Sequence, residues 1–199
     1  MPQTAPRTER PYAGVGRTKR ETERRARLIE AAIAVYGEVG FKNASVRSVC
    51  QAAGLSERYF YEAFANSEAL FIATYEQVNE RLIALVEAAG VAPAKEKAML
   101  TAFFLELKQR PREAHLFLVE VRGVSPAVDA AIAVWLDRFG DLLVTALNAP
   151  QADRLLVRGT VGGLLHLAIA WLESNAVRPV SDVVEQALIV CAGLRSVAD

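Results

Sequence analysis

Apolar residues recur three and four positions apart along nearly the whole chain, and no stretch alternates apolar with polar as a half-buried strand would. The pattern predicts an all-α fold of about nine helices. Thr18 and Glu21 have capping-box spacing and predict the start of the first helix, whose buried stripe is Ile29, Ala32, Ile33 and Tyr36. Gly40 ends that helix, two short helices follow, and Asn66 with Ser67 caps a long fourth one running to about Ala89. Further helices are predicted near residues 94–109, 112–121, 126–148, 151–174 and 181–197. Their breaks are Pro93, Pro111, Gly123 with Pro126, Pro150 and Pro179. The predicted organisation is a flexible basic arm over residues 1–17, a three-helix head over 18–66 and a larger helical body over 67–199.

Residues 45 to 70, SVRSVCQAAGLSERYFYEAFANSEAL, are the most informative stretch. Val46, Val49, Cys50 and Ala53 make one apolar stripe, while Arg47, Ser48 and Gln51 face the other way. Gly54 stands where a left-handed residue would end the helix, since glycine takes positive φ without a Cβ clash. Ser56 is placed to cap the next helix, with Leu55 and Phe60 spaced as a hydrophobic staple. That second helix turns Phe60 and Phe64 inward and Glu57, Arg58, Tyr59 and Tyr61 outward. A rigid two-helix wedge of this kind is what a helix-turn-helix needs to lay one helix in the DNA major groove.

Composition changes the picture in one respect. The net charge is zero, yet residues 1–66 carry 11 Lys and Arg against 7 Asp and Glu, and residues 67–199 carry 12 against 16. A basic end on an acidic body suits a polyanion-binding head, although a solvated tail would look the same. The two cysteines, Cys50 and Cys191, lie on apolar helical faces and read as free buried thiols in a reducing cytoplasm. The first 20 residues lack the apolar stretch of a signal peptide. The longest apolar run, Gly159 to Leu172, is interrupted by His166 and falls short of the ~20 residues of a membrane span. It reads as a buried helix, and no membrane partner is expected. With two histidines and two cysteines at these spacings, neither a metal site nor a cofactor is expected.

The pattern Gly40-Phe41, Ser45 through Phe64, then Ser67-Glu68-Ala69-Leu70-Phe71, resembles the TetR family of bacterial transcriptional regulators over roughly residues 20–71. The resemblance implies a homodimer whose two heads bind a palindromic operator on double-stranded DNA, and a body that senses a small ligand. Arg58 and Tyr59 depart from the usual Gly and Thr, and Ser67 stands where a Lys often contacts phosphate. Arg58 is placed to pair with guanine O6 and N7, or with a phosphate. Tyr59 and Tyr61 carry hydroxyls suited to phosphate oxygens, with packing of Tyr59 against Leu55 as the alternative. Ser45 and Ser56 suit either a phosphate or a pure capping role. Arg47, Glu57 and Ser67 complete the expected DNA face of the head. Arg17, Lys19 and Arg20 would track the backbone or enter the minor groove.

In the body, Phe103, Phe104, Leu107, Phe117, Trp135, Phe139 and Trp171 are core candidates that would also wall any ligand cavity. His115 and His166 are candidate polar partners for a ligand, as are Glu106, Glu120 and Arg138. Such an interior favours an apolar or aromatic effector over a sugar or nucleotide. Gly159, Gly163, Leu167 and Ala170 form a small-residue stripe, and Val184, Ala187, Leu188 and Cys191 a second stripe on the last helix. Two such helices from each subunit would make a four-helix dimer interface, or they would pack internally. The leading reading is a ligand-responsive transcriptional regulator, most simply a repressor. A helical enzyme and a helical interaction module are the competing readings. No Ser nucleophile elbow, Gly-Lys-Ser/Thr phosphate loop or His-Glu-x-x-His favours the enzyme.

Overall fold

A computed structural model describes residues 12–92, 94–120 and 123–196, the side chains of residues 12–17 and 120 excepted. The described residues form ten α-helices, a 3-10 turn and a π-helical turn, with no strand. The head comprises α1 (Tyr12–Val39), a 3-10 turn (Phe41–Asn43), α2 (Val46–Ala53) and α3 (Glu57–Ala63). Helix α4 (Ser67–Ala89) leads into the body of α5 (Lys95–Gln109), α6 (Pro111–His115), a π turn (Leu116–Glu120) and α7 (Pro126–Ala146). Helices α8 (Arg154–Glu173), α9 (Val180–Val190) and α10 (Ala192–Arg195) complete it.

Helix α1 begins at Tyr12, so Thr18 and Glu21 lie inside it and do not mark its start. The Thr18 carbonyl already accepts from Thr22 Oγ1 at 3.1 Å. The expected arm thereby shortens, and residues 1–11 lie outside the described residues. The other predicted helices appear within a few residues of their expected ends. The two differences are the π turn that continues α6 and the break that separates α9 from α10.

Two apolar clusters fill the molecule, and their division does not fall at residue 66. The first joins Leu28, Ile33 and Tyr36 of α1, the interior of α2 and α3 and the first half of α4, and continues to Leu116, Phe117, Val128 and Trp135. At its centre Phe71 lies 4.4 Å from Phe41, 5.7 Å from Tyr36 and 6.2 Å from Phe117, centroid to centroid. The head is therefore seated on the body through aromatic packing. The second cluster holds α5, α7, α8, α9 and α10 together around Phe103, Phe104, Leu164 and Trp171. Across the outside, Arg81 of α4 pairs with Glu106 of α5 and Glu113 of α6, and Arg110 closes the quartet onto both glutamates. Both cysteines are free and buried. Burial raises the Cys50 thiol, with Glu57 adding to the shift, and burial first and Glu96 second raise Cys191 to about 11.

Candidate nucleic-acid interface

The helix-turn-helix is built by local chemistry. Ser45 Oγ accepts from the Ser48 N–H at 3.0 Å, and Ser48 Oγ accepts from the Ser45 N–H at 3.0 Å, a reciprocal cap made by two serines. Gly54 ends α2 at φ 63°, where a Cβ would be strained. The Leu55 N–H donates to Cys50 O and the Gly54 N–H to Gln51 O, at 2.9 and 3.1 Å, which is the Schellman closure. Arg27, which sequence reasoning missed, reaches from α1 to donate to Ala53 O at 2.6 Å. It places a cation at the negative end of α2 and ties the turn to the first helix. Only tertiary packing brings together residues 26 positions apart, so no local signal marked it.

With Phe60 and Phe64 buried beneath it, α3 turns Glu57, Arg58, Tyr61 and Glu62 to solvent. Arg47 on α2 is exposed, as are Lys19 and Arg20 on α1, while the Arg17 side chain lies outside the described residues. Tyr59 is half-buried, with the Arg24 guanidinium 4.3 Å above its ring, so it packs under α1. Ser45 acts as a cap, whereas Ser56 makes no side-chain capping bond. Asn66, not Ser67, caps α4 by accepting from the Ala69 N–H at 2.8 Å, and Ser67 remains exposed. A groove of about 690 Å³ separates α1 from α3, lined by Thr18, Thr22, Arg24, Arg25, Arg58 and Glu62 among others.

In the body a cavity of about 50 Å³ lies between α4, α5, the π turn, α7 and α8. Phe103, Phe117, Trp135 and Phe139 line it as expected, joined by Tyr75, Asn79 and Leu118. Leu107 instead lines a neighbouring cavity of about 40 Å³ under the Arg81–Glu106–Arg110–Glu113 quartet, which accounts for Glu106. Phe117 and Leu118 wall both cavities from the π turn, a geometry that recurs at functional sites. Phe104 and Trp171 are core, stacked edge to face at 5.6 Å, and neither lines the cavity. His115 and His166 are exposed and also lie outside it. Arg138 bonds Glu80 and covers the Trp135 ring from outside, and the Glu120 side chain is outside the described residues.

The interface expectation needs correction. Val184, Ala187 and Cys191 are fully buried within one chain, so they face its own core and not a partner. Leu167 and Leu188 are half-buried against the same cluster, and a Cβ on Gly163 would stand 3.0 Å from Val190. Gly159 and Ala170 are exposed, and with Leu155, Gly162 and His166 they mark the outer face of α8. This 20-residue helix, mean hydropathy 1.6, is long and apolar enough to cross a membrane, contrary to the shorter run read from sequence. Its inner face packs the core through Val157, Val161, Leu164 and Ala168.

Residues 28–74 match the family described as bacterial regulatory proteins, tetR family. In fold the chain is similar to the fatty acid degradation regulator FadR from Bacillus halodurans, with TM-score 0.73, 21% identity and coverage of 86% of this chain and 96% of that one. It is similar to FadR from Bacillus subtilis, solved with stearoyl-CoA, with TM-score 0.67, 21% identity and coverage of 86% and 98%. A tetR-family transcriptional regulator from Streptomyces coelicolor gives TM-score 0.73, 18% identity and coverage of 89% and 82%. No protein of curated function matches the chain significantly in sequence.

Proposed function

We propose that this chain, which belongs to the TetR family of bacterial regulatory proteins, is a cytoplasmic repressor that binds a palindromic operator as a homodimer and releases it when a small effector enters the body. As a member of that family it is a regulator, not an enzyme. The observation that carries the proposal is the recognition helix itself, with Arg58 and Tyr61 exposed on a wedge braced by the Ser45 cap, Gly54 and Arg27. Arg58 supplies a fork for a guanine edge, and Tyr61, Arg47, Lys19 and Arg20 supply phosphate contacts that set the register. Replacing Arg58 with alanine is expected to cost roughly 1–3 kcal/mol of operator affinity and to relax preference at one base pair. A gel-shift series on an inverted-repeat duplex at two salt concentrations checks this. Salt-independent binding, or an unchanged base preference in the variant, would count against the proposal.

The dimer reading is supported by α8. A glycine in a helix interior costs about 1 kcal/mol relative to alanine, yet a Cβ on Gly159 or Gly162 would meet nothing within 4 Å among the described residues. Among the described residues, no packing contact requires a glycine at either position. Close approach of a second α8 does, and it would cover an outer face that includes Leu155.

The effector reading is supported by the aromatic cavity. Its present volume of about 50 Å³ is far below that of pockets holding drug-sized ligands, ~300 Å³ and more, so an effector must part α4, α7 and the π turn. A state opened in that way displaces α4, which carries the head, and gives the effector its differential affinity between two states. The stearoyl tail of the stearoyl-CoA bound by the similar Bacillus subtilis protein belongs to the apolar class expected for this chain. Compounds with acyl or aromatic tails are expected to quench Trp135 and to weaken operator binding ~5–150-fold. Binders that leave operator affinity unchanged would remove the cavity from control.

A further inference from the structure

The recognition helix carries an acid that the negative field of DNA disfavours. Glu62 Oε1 accepts from Arg58 Nε at 3.0 Å, one helical turn away. Its other oxygen stands 3.9 Å from Arg24 Nη2, which approaches from α1. Arg24 is itself fixed by the Tyr59 ring, 4.3 Å beneath its guanidinium. The Arg58 side chain is 84% exposed, so the pair adds little to stability. Its consequence is geometric. Guanidinium is planar, and a carboxylate on Nε leaves the two Nη groups as an open fork at the tip. That fork is the edge that pairs with guanine O6 and N7. A long cation whose plane is already set also loses less freedom on docking than one that samples every rotamer.

We infer that Glu62 is a specificity-determining positioning residue: its carboxylate, anchored by Arg24 of α1, aims the Arg58 fork at a guanine edge. The inference rests on the reading of Arg58 as a base contact, and the two are separable by a mutant cycle on the full chain. The probe is a duplex selected from a random-sequence pool by the unaltered protein, together with its single-base-pair substitutions. Wild type, Glu62→Gln, Arg58→Ala and the double variant are compared, each first shown by its melting midpoint to be folded.

Glu62→Gln is expected to lower discrimination about fivefold at the base pair that Arg58→Ala also relaxes, a part of what one bidentate contact supplies. Binding to unrelated duplex is expected to hold or to tighten, because one negative charge facing phosphates is gone. In the Arg58→Ala background the same substitution is expected to change no base preference. Equal effects in both backgrounds would overturn the inference, since Glu62 would then read a base itself, as a carboxylate does at the cytosine amino group. An unchanged base preference in Glu62→Gln alone would overturn it too. Silence of Arg58→Ala would instead remove the base-reading role of Arg58 on which it stands.

Discussion

Phe71→Ala is expected to destabilise the chain by about 3–5 kcal/mol, the range for deleting a fully enclosed aromatic ring. Phe71 is 0% exposed and sits where four segments meet: the end of α1, the 3-10 turn, α4 and the π turn. Loss of the ring leaves Tyr36, Phe41 and Phe117 around a void that none of them can fill without leaving its own packing. At ~2–4 °C per kcal/mol for a chain of this size, the melting midpoint should fall by roughly 6–20 °C. The same change uncouples the head from the body, because Phe71 and Phe117 are the contact through which motion of the π turn would reach the first turns of α4. Denaturant titration with Trp135 fluorescence, alongside circular dichroism, measures both. A loss under about 1 kcal/mol would mean that this joint is not packed as described.

Gly162→Glu is expected to leave the isolated chain as stable as before, to abolish dimerisation and to reduce operator affinity by ~10²-fold or more. The position is exposed on α8, a Cβ there meets nothing within 4 Å among the described residues, and glutamate is the better helix former. The penalty therefore falls only on the association of two chains, where two carboxylates would be brought together at the closest approach of the helices. In the proposed dimer each head would cover one half-site, and the gain from binding both halves at once would disappear with the dimer. Gly163 is a poorer test, because its added Cβ would already press on Val190 inside the chain. Sedimentation velocity read with a gel shift decides the matter. An intact dimer in the Gly162→Glu variant would move the interface off this face.

What was legible in the amino-acid sequence was whatever one helix states about itself. The α2–turn–α3 unit was readable because its Gly54 stop and apolar stripe, Val49, Cys50 and Ala53, lie within ten residues of one another. The long fourth helix and the body helices were readable from their 3.6-residue repeat and their prolines. Misreadings began where neighbouring segments decided. Residues 12–17 read as the end of a flexible arm, yet α1 runs through them from Tyr12. The π turn at Leu116–Glu120 shifts the repeat by one residue and left no mark that the periodicity could show. Val184, Ala187 and Cys191 read as a face to be buried, either by a partner or within the chain, and the fold chooses the second, because a stripe reports that a face leaves water and not which chain covers it. The two Arg81 pairs, the Arg27 brace and the Glu62–Arg24 pair join residues 25 to 38 positions apart. Helical periodicity is a property of a single segment, whereas the choice of partner is made by every segment that packs at the same place, so only the tertiary structure decided it.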